Sequence, residues 1–184
     1  MLSDISVYFL WKQGIAQYHE RLLAQSAFLF FILSLLEKHM EIIVKHFSEL
    51  STEELFALYK LRVSVFVVEQ HCPYQEVDDA DKTAYHVWLK DNEGIEAYAR
   101  VLPPGTVFSS AAIGRVIAVK RRCGLGSKIV AAAIDVAASK FSADRITLEA
   151  QVYAKTLYEK LGFRQCSDEF LEDGIAHVRM QLKL

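Results

Sequence analysis

The segment that most narrows what this chain can fold into lies past its midpoint. A β-branched run at residues 113–119 (IGRVIAV) passes directly into Lys120-Arg121-Arg122-Cys123-Gly124-Leu125-Gly126-Ser127. Ile129, Val130, Ala133, Ile134, Val136 and Ala137 then follow at helical spacing. A strand that enters a helix through two arginines and two closely spaced glycines is suited to holding an anion. Gly124 and Gly126 accept unusual φ/ψ values and let a ligand approach the backbone. The first amides of the helix are unpaired and sit at the positive end of its dipole. Arg121 and Arg122 add charge-assisted contacts. A diphosphate matches this chemistry, although an ordinary helix start with two solvated arginines explains the same residues. The glycine order is wrong for the nicotinamide-type G-x-G-x-x-G turn, and the G-K-[ST] of a Walker loop is absent.

The rest of the chain supplies a framework for this segment. Ser51-Thr52-Glu53-Glu54 is a capping box. Leu55, Leu58, Tyr59, Arg62, Val63 and Phe66 continue it as a helix over residues 52–66. Residues 69–84 (EQHCPYQEVDDADKTA) are polar and irregular, and so long a connection in a compact domain usually carries function. Strands follow at 85–90 and 95–102, joined by the hairpin chemistry of Asp91-Asn92-Glu93-Gly94. Residues 145–150 form a strand, 152–161 a helix, and 163–166 and 177–182 two closing strands. With the opening strand at 41–47, the order is that of an α+β or α/β domain on a mixed, mostly antiparallel sheet of about six to seven strands.

Composition bounds the function. The 184 residues suit one ordinary domain, and 52% hydrophobic content can fill its core. The net charge of −2 argues against a general nucleic-acid binder, which must neutralise phosphates. Cys72, Cys123 and Cys166 are odd in number and far apart, a pattern for a reducing, cytoplasmic setting and not for disulfides or zinc. The longest apolar run, residues 27–36, is ten residues long, whereas a spanning helix needs roughly 18. No membrane association is expected. The text changes character at Met40. Residues 1–39 are read either as a helix or hairpin packed on the domain or a partner, or as a leader upstream of a start at Met40. The second reading is preferred, and the site is placed entirely within 40–184.

A further motif lies after the strand at 145–150. R-x-x-G-x-G opening a helix, followed by Ala154, Tyr158, Gly162 and Phe163 as A-x-x-x-Y-x-x-x-G-F, resembles the GNAT superfamily of N-acetyltransferases. Within it, Leu61-Arg62, the run 65–70 (VFVVEQ), 72–78 (CPYQEVD), 98–103 (YARVLP), Gly114-Arg115-Val116 and 172–177 (EDGIAH) look like the ElaA-type subgroup. The likeness covers residues 40–182. It implies a three-layer fold whose sheet splays between the fourth and fifth strands to receive acetyl-CoA. On that pattern the main chain of Ile117, Ala118 and Val119 pairs with the pantetheine arm. A backbone N–H at Ala118 or Val119 polarises the thioester carbonyl. The amides of Arg121, Arg122, Cys123, Gly124, Leu125, Gly126 and Ser127 hold the pyrophosphate. Gln151 takes the place of an Asn that meets the cofactor arm, beside Ala154, and Tyr158 protonates the departing thiolate. Only Lys120 separates Val119 from the first arginine, fewer residues than the pattern has, and Arg122 stands where glycine is common.

The implied reaction is direct acetyl transfer to a primary amine in a ternary complex, with no metal. The acceptor is a small molecule or peptide. Glu69, at the start of the polar segment, is the preferred base for the amine proton, with His71, Glu76, His86 and Glu149 as further candidates. An acyl-homoserine-lactone-synthase-like enzyme and a non-catalytic acyl-CoA-sensing or partner-binding module are the alternatives. A homodimer is expected by base rate.

Overall fold

A computed structural model describes residues 40–184, and the readings of residues 1–39 lie outside the described residues. The alternation of side chains along the strands decides the layering. In β2 (Tyr85–Asp91), Val87 and Leu89 face one side and Trp88 the other. In β3 (Gly94–Leu102), Ala97, Ala99 and Val101 oppose Tyr98 in the same way. Both faces are therefore apolar and both must be covered. The long helix α2 (Leu125–Phe141) buries Leu125, Ile129, Val130, Ala133, Val136 and Ala137 on the first face. On the second, Leu58 of α1 (Thr52–Arg62) packs with Trp88, Tyr98 and Ile117.

The remaining elements are β1 (Glu41–His46), β4 (Ala111–Ala118), β5 (Arg145–Gln151), α3 (Lys155–Lys160), β6 (Arg164–Gln165), β7 (Phe170–Glu172) and β8 (Ile175–Lys183). They form an eight-stranded mixed sheet in the order β1-β2-β3-β4-β5-β8-β6, with β7 also on β8. The architecture is the expected three-layer α+β fold. The strand beyond the expected count is β7, three residues long and too short to leave a periodic signal. Among the described residues no helix is long and apolar enough to cross a membrane.

Two local departures from the sequence reading shape the site. The first helix does not run evenly to Phe66. It is α-helical to Arg62 and then widens into a π-helical stretch, Val63–Glu69, closed by Gln70 N–H donating to Val65 C=O at 3.1 Å. Ser64 Oγ donates to the Lys60 carbonyl at 2.8 Å, a back-bond that bends helices, within a run of β-branched valines that crowd an α turn. The second departure is a bulge in β4. Tyr98 faces Ile117 but Arg100 faces Gly114, so Arg115 and Val116 together oppose Ala99. Arg115 takes φ +52°, the left-handed region that non-glycine residues rarely adopt. One extra residue reverses the alternation beyond it. Ile113 faces the α2 layer, and Ile117, four residues on, faces α1.

Candidate active site

The parallel pair β4–β5 is joined at two positions only, Ala111 with Ile146 and Ala112 with Thr147. Beyond them β4 continues to Ala118 and β5 to Gln151, each paired on its outer side alone, β4 with β3 and β5 with β8. A bulged strand bends and twists more strongly, and the bulge lies just past the last shared pair, which is the physical reason for the divergence. The result is a cleft with two unsatisfied main-chain edges.

The amides of the β4 lip divide by alternation. Val119 N–H donates to the Glu96 carbonyl at 2.9 Å, on the β3 side. In an antiparallel ladder successive residues turn their N–H groups to opposite edges, so the Ala118 N–H faces β5 and the cleft. Of the two expected polarising amides, Val119's is already donated and Ala118's is free to serve. The Ile117 side chain, 3% exposed, belongs to the core under α1 and presents only main chain.

Past β4, Lys120 anchors the loop through Glu96 at 3.0 Å, and Cys123 Sγ donates to the Lys120 carbonyl at 2.9 Å. Arg122 and Gly124 both take positive φ, +62° and +84°. A Cβ on Gly124 would meet nothing within 4 Å, so its conformation and not crowding calls for glycine. Gly126 differs from the expectation of ligand approach. A Cβ there would lie 3.2 Å from Leu157 Cδ2, so its bareness lets α2 sit close to α3. Leu125 is buried in the core, while Ser127 and Ala154 are half-buried.

The π-helical stretch spans the cleft mouth. Glu69, at its end, is ion-paired with Arg121 on the β4 side. The next residue, Gln70, accepts from Gln151 Nε2 at 3.3 Å on the β5 side. The expected base and the first arginine expected at the phosphates thus engage each other. Arg122 makes no ion pair among the described residues. Tyr158 is 7% exposed, with its ring edge-to-face against Phe163 at 6.0 Å. Its hydroxyl bonds to none of the described residues. Burial pushes its phenol above the ordinary tyrosine range.

The other proposed bases are placed differently. Glu149 is held by Arg179 at 2.8 Å, and His71 is exposed with φ +56°. Glu76 is buried, its Oε1 accepting from Arg62 Nε and Arg115 Nε, each at 2.9 Å. His86 is fully buried. Its Nε2 donates to the Asp81 carbonyl at 3.3 Å, which fixes Nδ1 as the acceptor from Tyr98 O–H at 2.7 Å. Burial drives the imidazole pKa from 6.5 down to about 4. A depressed pKa means that the unfolded chain binds the proton first. Stability should therefore be complete above pH 6.5 and fall between pH 6.5 and 4, by about 3 kcal/mol from this ring. Urea unfolding across that window checks this: His86→Gln should flatten the slope, and an unchanged slope would exclude His86 as its source.

Sequence reading missed the ion network beneath this wall. Arg62 donates to Asp81 at 2.7 and 3.1 Å, and Arg100 to Asp78 at 2.6 and 3.1 Å and to Asp81 at 2.9 Å. Burial pushes the Asp81 carboxyl up, but the Arg62 and Arg100 guanidiniums overcome this and hold it below the ordinary carboxylate range. The signal was present as an arginine on the apolar stripe of a helix, followed by three acids in the polar segment. The network pins residues 76–81 over the β4 bulge, where Arg115 stacks on Phe66 at 5.8 Å and Tyr74 at 5.6 Å. Cys72 Sγ lies 3.7 Å from the Asp173 carbonyl, bringing the β7–β8 turn to the same wall.

A splayed β4–β5 pair followed by a glycine-containing loop and a long helix is matched by a family model for the acetyltransferase (GNAT) domain over residues 49–184. The chain belongs to the GNAT acetyltransferase family. Among GNAT relatives it is 41% identical over 150 residues to a UPF0039 protein of Schizosaccharomyces pombe, covering 79% of this chain and 99% of that one. It is 35% identical over 139 residues to protein ElaA of Escherichia coli, covering 73% and 91%. The crystal structure of an acyl-CoA N-acyltransferase from Pseudomonas aeruginosa superposes with a TM-score of 0.72 at 35% identity, covering 77% and 98%. The expected likeness to the ElaA-type GNAT subgroup is borne out.

Proposed function

We propose that this GNAT chain transfers acetyl from acetyl-CoA to a primary amine, by direct attack within a ternary complex. The observation that carries this reading is the parting of β4 and β5 after Ala112 and Thr147, which leaves the Ala118 amide facing an open edge. An extended pantetheine arm can pair with that edge as a strand would. The Ala118 N–H then lies where charge develops on the thioester oxygen. The loop amides from Arg121 to Ser127, ahead of and within the first turn of α2, receive the diphosphate. Glu69 accepts the proton of an amine whose ordinary pKa is near ~10.4, and Tyr158 returns one to the thiolate, near ~8.5. For both ends of this scheme to operate, Arg121 leaves Glu69 for the phosphates.

Acetyl-CoA at 100 times its dissociation constant should stabilise the chain by about 2.7 kcal/mol, seen as a raised melting temperature, while ATP and NAD leave it unchanged. Thiol release should appear with at least one member of an amine panel. Arg121→Ala should weaken CoA more than pantetheine fragments, and equal losses would remove its phosphate role. Stabilisation with no thiol release from any amine would favour a non-catalytic acyl-CoA-binding module. No stabilisation by any acyl-CoA would end the proposal.

A further inference from the structure

The outer half of the sheet has a face that no helix among the described residues covers, and only Phe108 and Ser110 lean on its middle, under Arg179 and against Thr147. On β5 and β8 the residues Ile146, Leu148, Ala150, Val178 and Met180 turn into the core with α2, so the alternate residues face the other way. Along that second face the rungs are complementary until the last. Glu149 pairs with Arg179 at 2.8 Å, and Gln181 Nε2 donates to Thr147 Oγ1 at 3.3 Å. The final rung sets Arg145 directly opposite Lys183. Like charges facing each other across an antiparallel pair are destabilising. Arg164, in register with Gln181, adds a third cation on the same face. These residues line an open groove of about 580 Å³ with no carboxylate in its wall, and none of the three cations is in an ion pair with a described residue.

The other end of the same strand carries the opposite sign. The β7–β8 hairpin and the approach to it hold Asp168, Glu169, Glu172 and Asp173, none of them ion-paired with a described cation. Glu172 stands opposite Ile175 on this face, whereas Leu171, opposite Ala176, turns to the other. Ile175 and Lys183 are eight residues apart on β8, about 26 Å at strand rise. Arg179, already neutralised by Glu149, is midway between them.

We propose that this face is the interface of a homodimer with two-fold symmetry. An axis near Arg179 sets the acidic hairpin of each copy into the basic groove of the other. Both contacts are then made at once, as a self-complementary interface requires. A free anion would satisfy the groove but would leave the hairpin and its four carboxylates without a counterpart. The acidic hairpin at one end of β8 and the basic rung at its other end favour a second copy of the chain.

Sedimentation of the full chain at low salt should give twice the chain mass, with association weakening as salt rises. The groove variant Arg145→Glu/Arg164→Glu and the hairpin variant Glu169→Lys/Glu172→Lys should each raise the dimer dissociation constant about 100-fold, because like charges then meet across the interface. Arg145→Glu turns the like-charge rung into an attractive one, so the groove variant should melt no lower than the parent held monomeric by dilution at high salt, which separates lost association from misfolding. An equimolar mixture of the two variants should recover the dimer, since reversed groove then meets reversed hairpin. A parent chain that stays monomeric, variants that still self-associate, or a mixture that stays monomeric would each overturn the proposal. So would saturable binding of inorganic phosphate to a monomer that Arg145→Glu/Arg164→Glu abolishes.

Discussion

Arg62→Ala should lower the unfolding free energy by about 3–5 kcal/mol, the usual consequence of removing one partner from a buried ion pair. Arg62 is fully buried, and its guanidinium meets Glu76 Oε1 at 2.9 Å, the Glu76 carbonyl at 3.2 Å and both oxygens of Asp81. Alanine leaves two carboxylates in a low-dielectric interior. Arg115 and Arg100 still reach them, so the loss should fall short of full desolvation. For a domain of this size it corresponds to a melting temperature about 10 °C lower. Because the pair is buried, added salt should change the loss little. Lys82 and Asp79 make a useful contrast: their 2.7 Å pair is exposed, and Lys82→Ala should leave stability nearly unchanged. Urea denaturation at pH 7 decides the matter, and an Arg62→Ala loss below about 1 kcal/mol would mean that the network does not hold the polar segment in place.

Tyr158→Phe should lower kcat about 100-fold, the smaller end of what a positioned proton donor contributes, and leave acetyl-CoA affinity nearly unchanged. Phenylalanine preserves the edge-to-face contact with Phe163. Because the hydroxyl bonds to no described side chain, its removal should change stability by less than about 0.5 kcal/mol. Burial raises the phenol pKa, so the protonated form persists through the alkaline range up to at least the ordinary value near ~10. A fall in rate below pH 10 would therefore come from another group, and Tyr158→Phe should lower the profile without moving its limbs. Steady-state rates with a thiol readout, together with calorimetry of acetyl-CoA, test both halves. Unchanged turnover would remove Tyr158 as the acid, and a matching loss of affinity would make it a binding residue.

Much of this was legible before any coordinates. The capping box at Ser51 and Glu54 forms as written, with reciprocal bonds of 2.9 and 3.1 Å, because a cap depends only on residues three apart. The strand, loop and helix around Gly124 were equally clear, since an apolar period of 3.6 and a break in it are local signals. The widening after Arg62 was not. Helical spacing continued to Phe66, and only the crowding of valines together with the Ser64 back-bond tipped the turn from α to π.

Chain order and local pattern determined most of the strands, the two principal helices and the glycine loop, while the expectation of a parted β4–β5 pair came from the resemblance to the GNAT superfamily. Tertiary structure alone decided which of the candidate polar groups are enclosed among fixed partners and which stay at the cleft. Glu76 and His86 were candidate bases until burial enclosed them, with Arg62 and Arg115 on Glu76 Oε1 and Tyr98 and Asp81 on the two ring nitrogens of His86. Glu69 and Arg121, 52 residues apart, looked independent until the fold set them against each other. The reason is physical. Propensity and periodicity act over a few residues and survive in the sequence, whereas register, a one-residue bulge and ion pairs between distant segments exist only once the strands have paired.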